Sequence, residues 1–334
     1  MTRRKLSKQQ LVRIQGKQQA QTERHIVEAG NADTQGTQYR GLVISHFGQQ
    51  LDIEALDGEL CGSLVRCYQR SNLEPLVAGD EVIWEAGDPE GVVVATLPRR
   101  SVLCRPSKPG ALKPVAANID TMIIVIAPEP QPHFNLIDRY LVAAEQMGAE
   151  ALLLLNKCDL MPQAPHTPLV NEMLALYENL GYQTHRVSCR TGKGRASLLA
   201  LLATRTSVIV GQSGVGKSAL ANLLLPGINT EEGTLSEAKT KGRHTTTAAR
   251  LFHFPEGGKL IDSPGIREFG LWHIEPEEIL AGFVEFRPFI GQCRFRDCRH
   301  EKEQGCALLH AVADGQIDER RLHSYQFILR SRII

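Results

Sequence analysis

The octapeptide Gly211-Gln212-Ser213-Gly214-Val215-Gly216-Lys217-Ser218 constrains this chain more than any other stretch. It follows an apolar run, Ser207–Val210, and leads into a helical stretch, Ala219–Leu225. Strand, glycine-rich loop and helix in that order make a phosphate loop. The glycines let backbone N–H groups turn inward around phosphate oxygens, where a side chain would clash. The helix beginning near Gly216 adds its positive N-terminal end. Lys217 is placed to reach the outer phosphates, and the Ser218 hydroxyl to ligate Mg²⁺. Such a loop sits at the carboxyl edge of a parallel sheet, so the surrounding chain must supply one.

Apolar runs Met122–Ile126, Ala151–Leu155, His185–Ser188 and Ser207–Val210 alternate with helical stretches. In Leu136–Met147, for example, Leu136, Tyr140, Leu141, Ala144 and Met147 recur at helical spacing. The alternation predicts a parallel sheet with helices on both faces. Asn156-Lys157-Cys158-Asp159 closes one of these strands. A carboxylate at Asp159 can accept from both the ring N–H and the exocyclic amine of guanine. Adenine offers neither donor on that edge and would leave a buried charge unpaired. Asn156 would brace the neighbouring loop and contact the base, the Lys157 stem would pack on its face, and Ser188-Cys189, ending another strand, could meet the guanine oxygen. Asp262-Ser-Pro-Gly265 follows the strand Lys259–Ile261. Asp262 can hold the metal through water, and Gly265 can give a backbone N–H to the terminal phosphate. The nucleotide expected from these elements is GTP, with GDP as product.

The order of these elements is unusual. The base-reading elements (156–159 and 188–192) precede the phosphate loop (211–218) and the acidic turn (262–265), whereas an ordinary GTPase runs the other way. A parallel sheet tolerates this if the original ends are joined and the chain is reopened elsewhere. The reopened end lies just after Gly265, so whatever follows is tethered to the segment that moves when the terminal phosphate is lost.

With 334 residues the chain should form two or three domains. Its 42% hydrophobic and 22% charged residues are those of a soluble globular protein. A net charge of +1 excludes a uniformly basic chain but not basic patches. No apolar run approaches the roughly 18 residues needed to cross a bilayer. The opening MTRRKLSKQQ carries no apolar core of a secretory signal, so a cytoplasmic protein without a membrane partner is expected. The first 25 residues hold Arg3, Arg4, Lys5, Lys8, Arg13, Lys17 and Arg24 against Glu23 alone. They read as a solvated tail that can order on nucleic-acid phosphates. Short alternating runs follow at Gly41–Ser45, Leu51–Ala55, Glu59–Tyr68, Asp80–Glu85 and Gly91–Thr96, which suggests a small oligonucleotide-binding (OB) barrel, although no base-stacking pattern stands out. Arg105–Pro114, with three prolines and a glycine, reads as a linker.

Of the eight cysteines, Cys61, Cys67, Cys104, Cys158 and Cys189 are scattered and read as reduced thiols. Cys293, Cys298 and Cys306 cluster with His300. Three thiolates and one imidazole in so short a window suit one tetrahedral, structural Zn²⁺ with no open position. The tail holds Arg320, Arg321, His323, Arg330 and Arg332, with Leu322, Tyr325 and Leu329 at helical spacing. This basic set is either a group of RNA-phosphate contacts or a solvated face.

NKCD at 156–159, GQSGVGKS at 211–218, GRHTTT at 242–247, DSPG at 262–265 and the cysteine–histidine cluster together resemble the circularly permuted GTPases of the RsgA (YjeQ) family, which assist maturation of the small ribosomal subunit. The resemblance implies a multidomain α/β chain. A basic flexible arm (1–35) precedes an OB-fold β-barrel (36–105), a circularly permuted P-loop GTPase domain with a parallel sheet (106–272) and a mostly helical zinc-binding C-terminal domain (273–334). It also implies GTP hydrolysis as a switch in late subunit maturation, stimulated by the small ribosomal subunit and its rRNA, by a monomeric protein. Cys189 departs from the Ala or Ser more usual at its position. One of Thr245, Thr246 and Thr247 should close on Mg²⁺; Thr246 is favoured, though spacing does not choose among the three. Where many GTPases place a water-orienting glutamine this chain has Ile266, which cannot hydrogen-bond a water, so intrinsic hydrolysis should be slow. His244 is the available replacement, acting with Lys217 and Thr246. His244→Ala should therefore lower stimulated turnover and leave nucleotide affinity nearly intact; unchanged turnover would remove it from the mechanism. The competing readings are an RNA-binding zinc protein that only senses GTP, a permuted GTPase of the large subunit, and a small-molecule kinase.

Overall fold

The computed structural model describes residues 37–48, 50–108, 111–226, 249–262 and 274–331, and the chain divides into two units, Met1–Arg100 and Ser101–Ile334. The basic arm, His244, Thr245, Thr246, Thr247, Gly265, Ile266 and Arg332 lie outside the described residues.

In the first unit, β1 (Gln38–Phe47), β2 (Gln50–Ala55), β3 (Leu64–Gln69), β4 (Glu81–Glu85) and β5 (Gly91–Thr96) pair in the order β1-β2-β3-β5-β4, and β1 closes the ring on β4. This is the five-stranded barrel expected from the sequence. Period-two alternation decides which side chains go inside: β2 buries Leu51, Ile53 and Ala55, and β4 buries Val82 and Trp84. A Cβ at Gly41 would lie 2.4 Å from Ile53 Cγ2 and 2.8 Å from Trp84 Cδ1, so glycine makes room for the indole. The third strand starts later than its alternation suggests. Gly58 and Gly62, at φ 71° and 81°, turn the chain before Leu64.

In the second unit Arg105–Pro114 is no linker: β6 (Val102–Lys108) and β7 (Ala111–Ala117) form an antiparallel ribbon, with Pro106 opposite Leu112 and Pro114 opposite Cys104. In a ribbon of two strands each is an edge, where the missing proline N–H costs no ladder bond.

The main sheet of this unit runs β10 (Gln183–Arg186), β9 (Glu150–Leu155), β8 (Thr121–Ile126), β11 (Thr206–Gly211), β13 (Lys259–Asp262), β12 (Arg250–His253). All neighbours are parallel except β12 and β13. β8 is buried at all six positions, as a central strand covered on both faces should be. The chain leaves β8 toward β9 and β10, then returns to β11 on its other side. The crevice between β8 and β11 is therefore the topological switch point where such sheets bind ligands. Among the covering helices are α1 (Phe134–Met147), α2 (Thr167–Asn179), α3 (Arg195–Leu202) and α4 (Lys217–Leu224). Leu198, Leu199 and Leu202 of α3 meet Val215, Leu220 and Leu224 over Ile123, Val125, Leu152 and Leu154.

The C-terminal part holds α5 (Pro276–Gly282), a 3-10 turn (Val284–Phe289), α6 (Ala307–Ala313) and α7 (Glu319–Arg330). Proline at the first turn and a reciprocal Glu275–Glu278 capping box start α5, and the Asp318 carboxylate caps α7. The basic face expected on α7 is largely committed to carboxylates. Arg321 is 1% exposed and paired with Asp138 and Glu285, Arg320 pairs with Asp318 and Glu172, and Arg330 pairs with Glu301. Arg321 is thus a core residue and takes no part in RNA contact. Leaving either of its carboxylates unpaired would be far costlier than the pair itself.

Candidate functional site

The glycine-rich loop 211–218 and the loops that follow β9 and β10 converge on the carboxyl edge of the sheet. Gly211 ends β11 at φ 141°, and a Cβ there would lie 2.4 Å from the Val125 carbonyl oxygen. Gly216 enters α4 at φ 94°, and a Cβ there would lie 2.4 Å from Asn156 Nδ2. That close approach lets the Asn156 amide reach inward. At 1% exposure it donates to the Val215 carbonyl at 2.9 Å and accepts from the Cys189 N–H at 3.4 Å. One side chain thus fastens the glycine-rich loop to the loops that follow β9 and β10. Lys157, in the left-handed region at φ 55°, donates through Nζ to the carbonyls of Gly214 at 2.8 Å and Glu129 at 2.9 Å. Lys217 Nζ donates to the carbonyls of Gly211 and Gln212 at 2.8 and 2.7 Å, curling the loop around its own ammonium.

Asp159 receives a 2.6 Å hydrogen bond from Ser188 Oγ, and the Arg190 guanidinium lies 3.0 Å from its other oxygen. The Ser188 hydroxyl first, and the Arg190 charge after it, hold this carboxyl below the ordinary carboxylate range, so it stands ionised as an acceptor at neutral pH. Burial pushes the Cys189 thiol up to about 11, which keeps it a neutral, small lining group. Asp262 ends β13 opposite Arg250, while the rest of its turn lies outside the described residues. Neither Arg190 as the partner of Asp159 nor the Glu129 carbonyl under Lys157 is legible in the linear order. Both depend on loops meeting from different strand ends.

The second constellation is metallic in its chemistry. His300, at φ 60°, brings Nδ1 to 3.5 Å from Cys293 Sγ, 3.7 Å from Cys298 Sγ and 3.3 Å from Cys306 Sγ; Cys293 and Cys306 sulfurs are 4.0 Å apart. All four ligand atoms lie within 4.8 Å of one another. A tetrahedral ion with metal–sulfur bonds of about 2.3 Å and metal–nitrogen bonds of about 2.0 Å separates its ligands by about 3.5 to 3.8 Å, so a small contraction of this set would hold one. The loop is pre-shaped. The Glu303 carboxylate accepts from the backbone N–H groups of Arg299, Glu301 and Lys302 at 2.9 to 3.0 Å, which pulls it down to about 2. The Ala307 N–H donates to Cys293 Sγ at 3.4 Å, and Gln326 holds the His300 carbonyl at 2.7 Å.

The barrel carries a feature the sequence hides. Phe47 pairs with Gln50 across β1 and β2, and Gln50 pairs with Tyr68 across β2 and β3, so two exposed rings lie in one row over three strands. The Arg66 guanidinium stands 6.0 Å from the Phe47 ring centroid. No linear spacing reveals such a row.

The comparisons with known proteins agree with this geometry. The RsgA GTPase family profile matches residues 96–272. A protein of Pseudomonas fluorescens named small ribosomal subunit biogenesis GTPase RsgA is 54% identical over 99% of this chain and 98% of its own length, and a namesake from Azotobacter vinelandii has the same identity and coverage. Among solved structures, YjeQ from Thermotoga maritima superposes with a TM-score of 0.71 at 32% identity, covering 89% of this chain and 99% of that one. YloQ, described as a circularly permuted GTPase, gives 0.69 at 27% identity, covering 88% and 94%. The inverted order of the motifs is thus inherited: this chain belongs to the RsgA GTPase family.

Proposed function

We propose that this GTP hydrolase acts as a switch on the small ribosomal subunit, binding it in the GTP form and leaving it after phosphate loss. The observation that carries the reading is the Asn156 knot, which holds base-reading and phosphate-binding loops in one frame around an ionised Asp159. The ribosomal partner comes from the names of relatives aligned over nearly the whole chain. In this reading Lys217 gives up its two carbonyls for the outer phosphates as they arrive. Gly211 to Ser218 present their N–H groups, and the Ser218 hydroxyl, with Asp262 through water, holds Mg²⁺. Bound with the nucleotide, that ion supplies charge neutralisation across the outer phosphates. Asn156, Lys157, Asp159, Ser188 and Cys189 line the guanine. His244 would orient the attacking water, and Thr246 would supply a hydroxyl ligand to the metal. Cys293, Cys298, His300 and Cys306 hold one structural Zn²⁺. The four expected domains, a monomeric state and a cytoplasmic location belong to the same proposal.

Turnover of GTP with and without purified small subunits, with large subunits and ATP as controls, tests it. GTP-specific stimulation by small subunits alone supports the switch. No stimulation by either subunit would sink the partner, and no turnover at all would favour a sensed ligand. The row Phe47–Tyr68 supports an RNA-facing barrel, since base–aromatic stacking contributes about 1–3 kcal/mol per base. The double change Phe47→Ala and Tyr68→Ala should weaken binding to small-subunit RNA at least about tenfold with no loss of thermal stability, because both rings are exposed.

A further inference from the structure

Three consecutive residues of α1 engage different neighbours. Asp138, fully buried, pairs with Arg321 of α7 and accepts a 2.6 Å hydrogen bond from Tyr177 of α2. Arg139 donates to Ser331 Oγ, just past the end of α7, at 3.0 Å. Tyr140 faces away from them, toward the sheet. With Leu136 and Ile137 it lines one wall of a narrow crevice whose other wall includes Gly211, Gln212 and Val215. Tyr140 thus faces the Gly211 backbone across this crevice. On the carbonyl side the same segment is held by Lys217. One face of α1 therefore rests on the entry of the phosphate loop while the other is gripped by the C-terminal region. Farther along, Arg287 reaches Glu145 at 2.6 Å and Gln146 reaches the Glu278 carbonyl at 2.8 Å.

The grip is built for registry. Arg321 meets two carboxylates, Asp138 and Glu285, and its guanidinium carbon lies 4.4 Å from the Phe283 ring centroid and 5.6 Å from that of Tyr177. Apolar side chains could fill such a site at no loss of stability, so what the ions add is a single defined seating of α7 on α1. The same helix carries the Gln326 contact to His300 and packs Tyr325 against the His300 ring at 6.1 Å.

We propose that Arg321 is a positioning residue for the phosphate loop: by seating α7 on Asp138 it fixes, through α1 and Tyr140, the conformation of Gly211–Val215 and so the affinity for the nucleotide's phosphates. The inference rests on reading residues 211–218 as the phosphate site. Because coupling between sites is reciprocal, bound nucleotide must in turn steady α7.

The test uses the full-length, metal-loaded protein and fluorescent GDP. Tyr140→Phe, Asp138→Asn and Arg321→Met are compared singly, and the first two also in combination. Asp138→Asn keeps Arg321 paired with Glu285 and Tyr140→Phe removes one hydroxyl, so both report even if Arg321→Met fails to fold. Each should weaken GDP binding about 5- to 20-fold, and the combination should cost less than the product of the two, as for residues acting in series. GDP should slow amide exchange across Glu319–Arg330 in the wild type and lose that effect in Tyr140→Phe. Wild-type GDP affinity in these variants, alongside a lowered Tm, makes the clasp purely structural and overturns the inference. Independent, fully multiplicative effects overturn it too. A wild-type protein that binds no guanine nucleotide overturns the phosphate-loop reading itself, and the inference falls with it.

Discussion

Asp159→Asn is expected to weaken GTP binding by about 10²- to 10⁴-fold and to raise affinity for xanthosine triphosphate, measured by competition against a fluorescent guanine nucleotide. Guanine presents two donors on the edge that this residue would meet, the ring N–H and the exocyclic amine. An ionised carboxylate answers both with charge-assisted hydrogen bonds. An asparagine amide offers one acceptor and one donor, so its NH₂ opposes the guanine amine. Xanthine has a carbonyl in place of that amine, which restores the match. Ser188 and Arg190 matter to the size of the effect because they keep the wild-type carboxyl charged. A group whose acidity is raised by folding contributes fully above its ordinary range and is lost only as pH falls through its lowered value. GTP affinity should therefore stay level from about pH 8 down to about pH 5. Equal GTP binding by wild type and Asp159→Asn would remove Asp159 from base recognition.

Stripping the metal is expected to have an equally large but local effect. Structural Zn²⁺ sites of this ligand type can contribute about 10–16 kcal/mol to the folding of an isolated finger. Here the neighbouring helices have other supports: Phe283 and Phe286 stack and both meet Tyr325 edge to face, and Arg321 anchors α7 on α1. Chelation, or Cys298→Ser, should therefore disorder the stretch from Cys293 to about Ala313 while the barrel and the main sheet keep their far-ultraviolet signature. Amide exchange over that stretch should accelerate at least about 100-fold. Elemental analysis should fall from one zinc per chain to none. Unchanged exchange after complete metal removal would make the cluster a set of ordinary buried thiols.

What the sequence could show and what it hid divide by range. The phosphate loop, the NKCD tetrapeptide and the cysteine–histidine window are each local, so their residue types and spacing carry the chemistry directly. The apolar runs of β8, β9 and β11 were equally plain, because a strand covered on both faces leaves an unbroken hydrophobic stretch. The β6–β7 ribbon has the composition of a linker because prolines mark turns unless a strand's outer edge is free to accept them. Arg321 looked like a surface cation because its partners stand 183 and 36 positions away in the chain. Only tertiary packing could show that this arginine belongs to the core while Arg190 turns toward Asp159.

The Asn156 knot also sets terms for redesign. A change at this one amide would disturb both halves of the nucleotide site together, since it touches Val215 on one side and Cys189 on the other. A version of the enzyme made to run on an artificial nucleotide, invisible to the cell's own GTP supply, therefore has to be engineered at the rim, at Asp159 and Cys189. Natural variation should follow from this, with Asn156 and the acid at 159 held fixed together as long as GTP is the nucleotide.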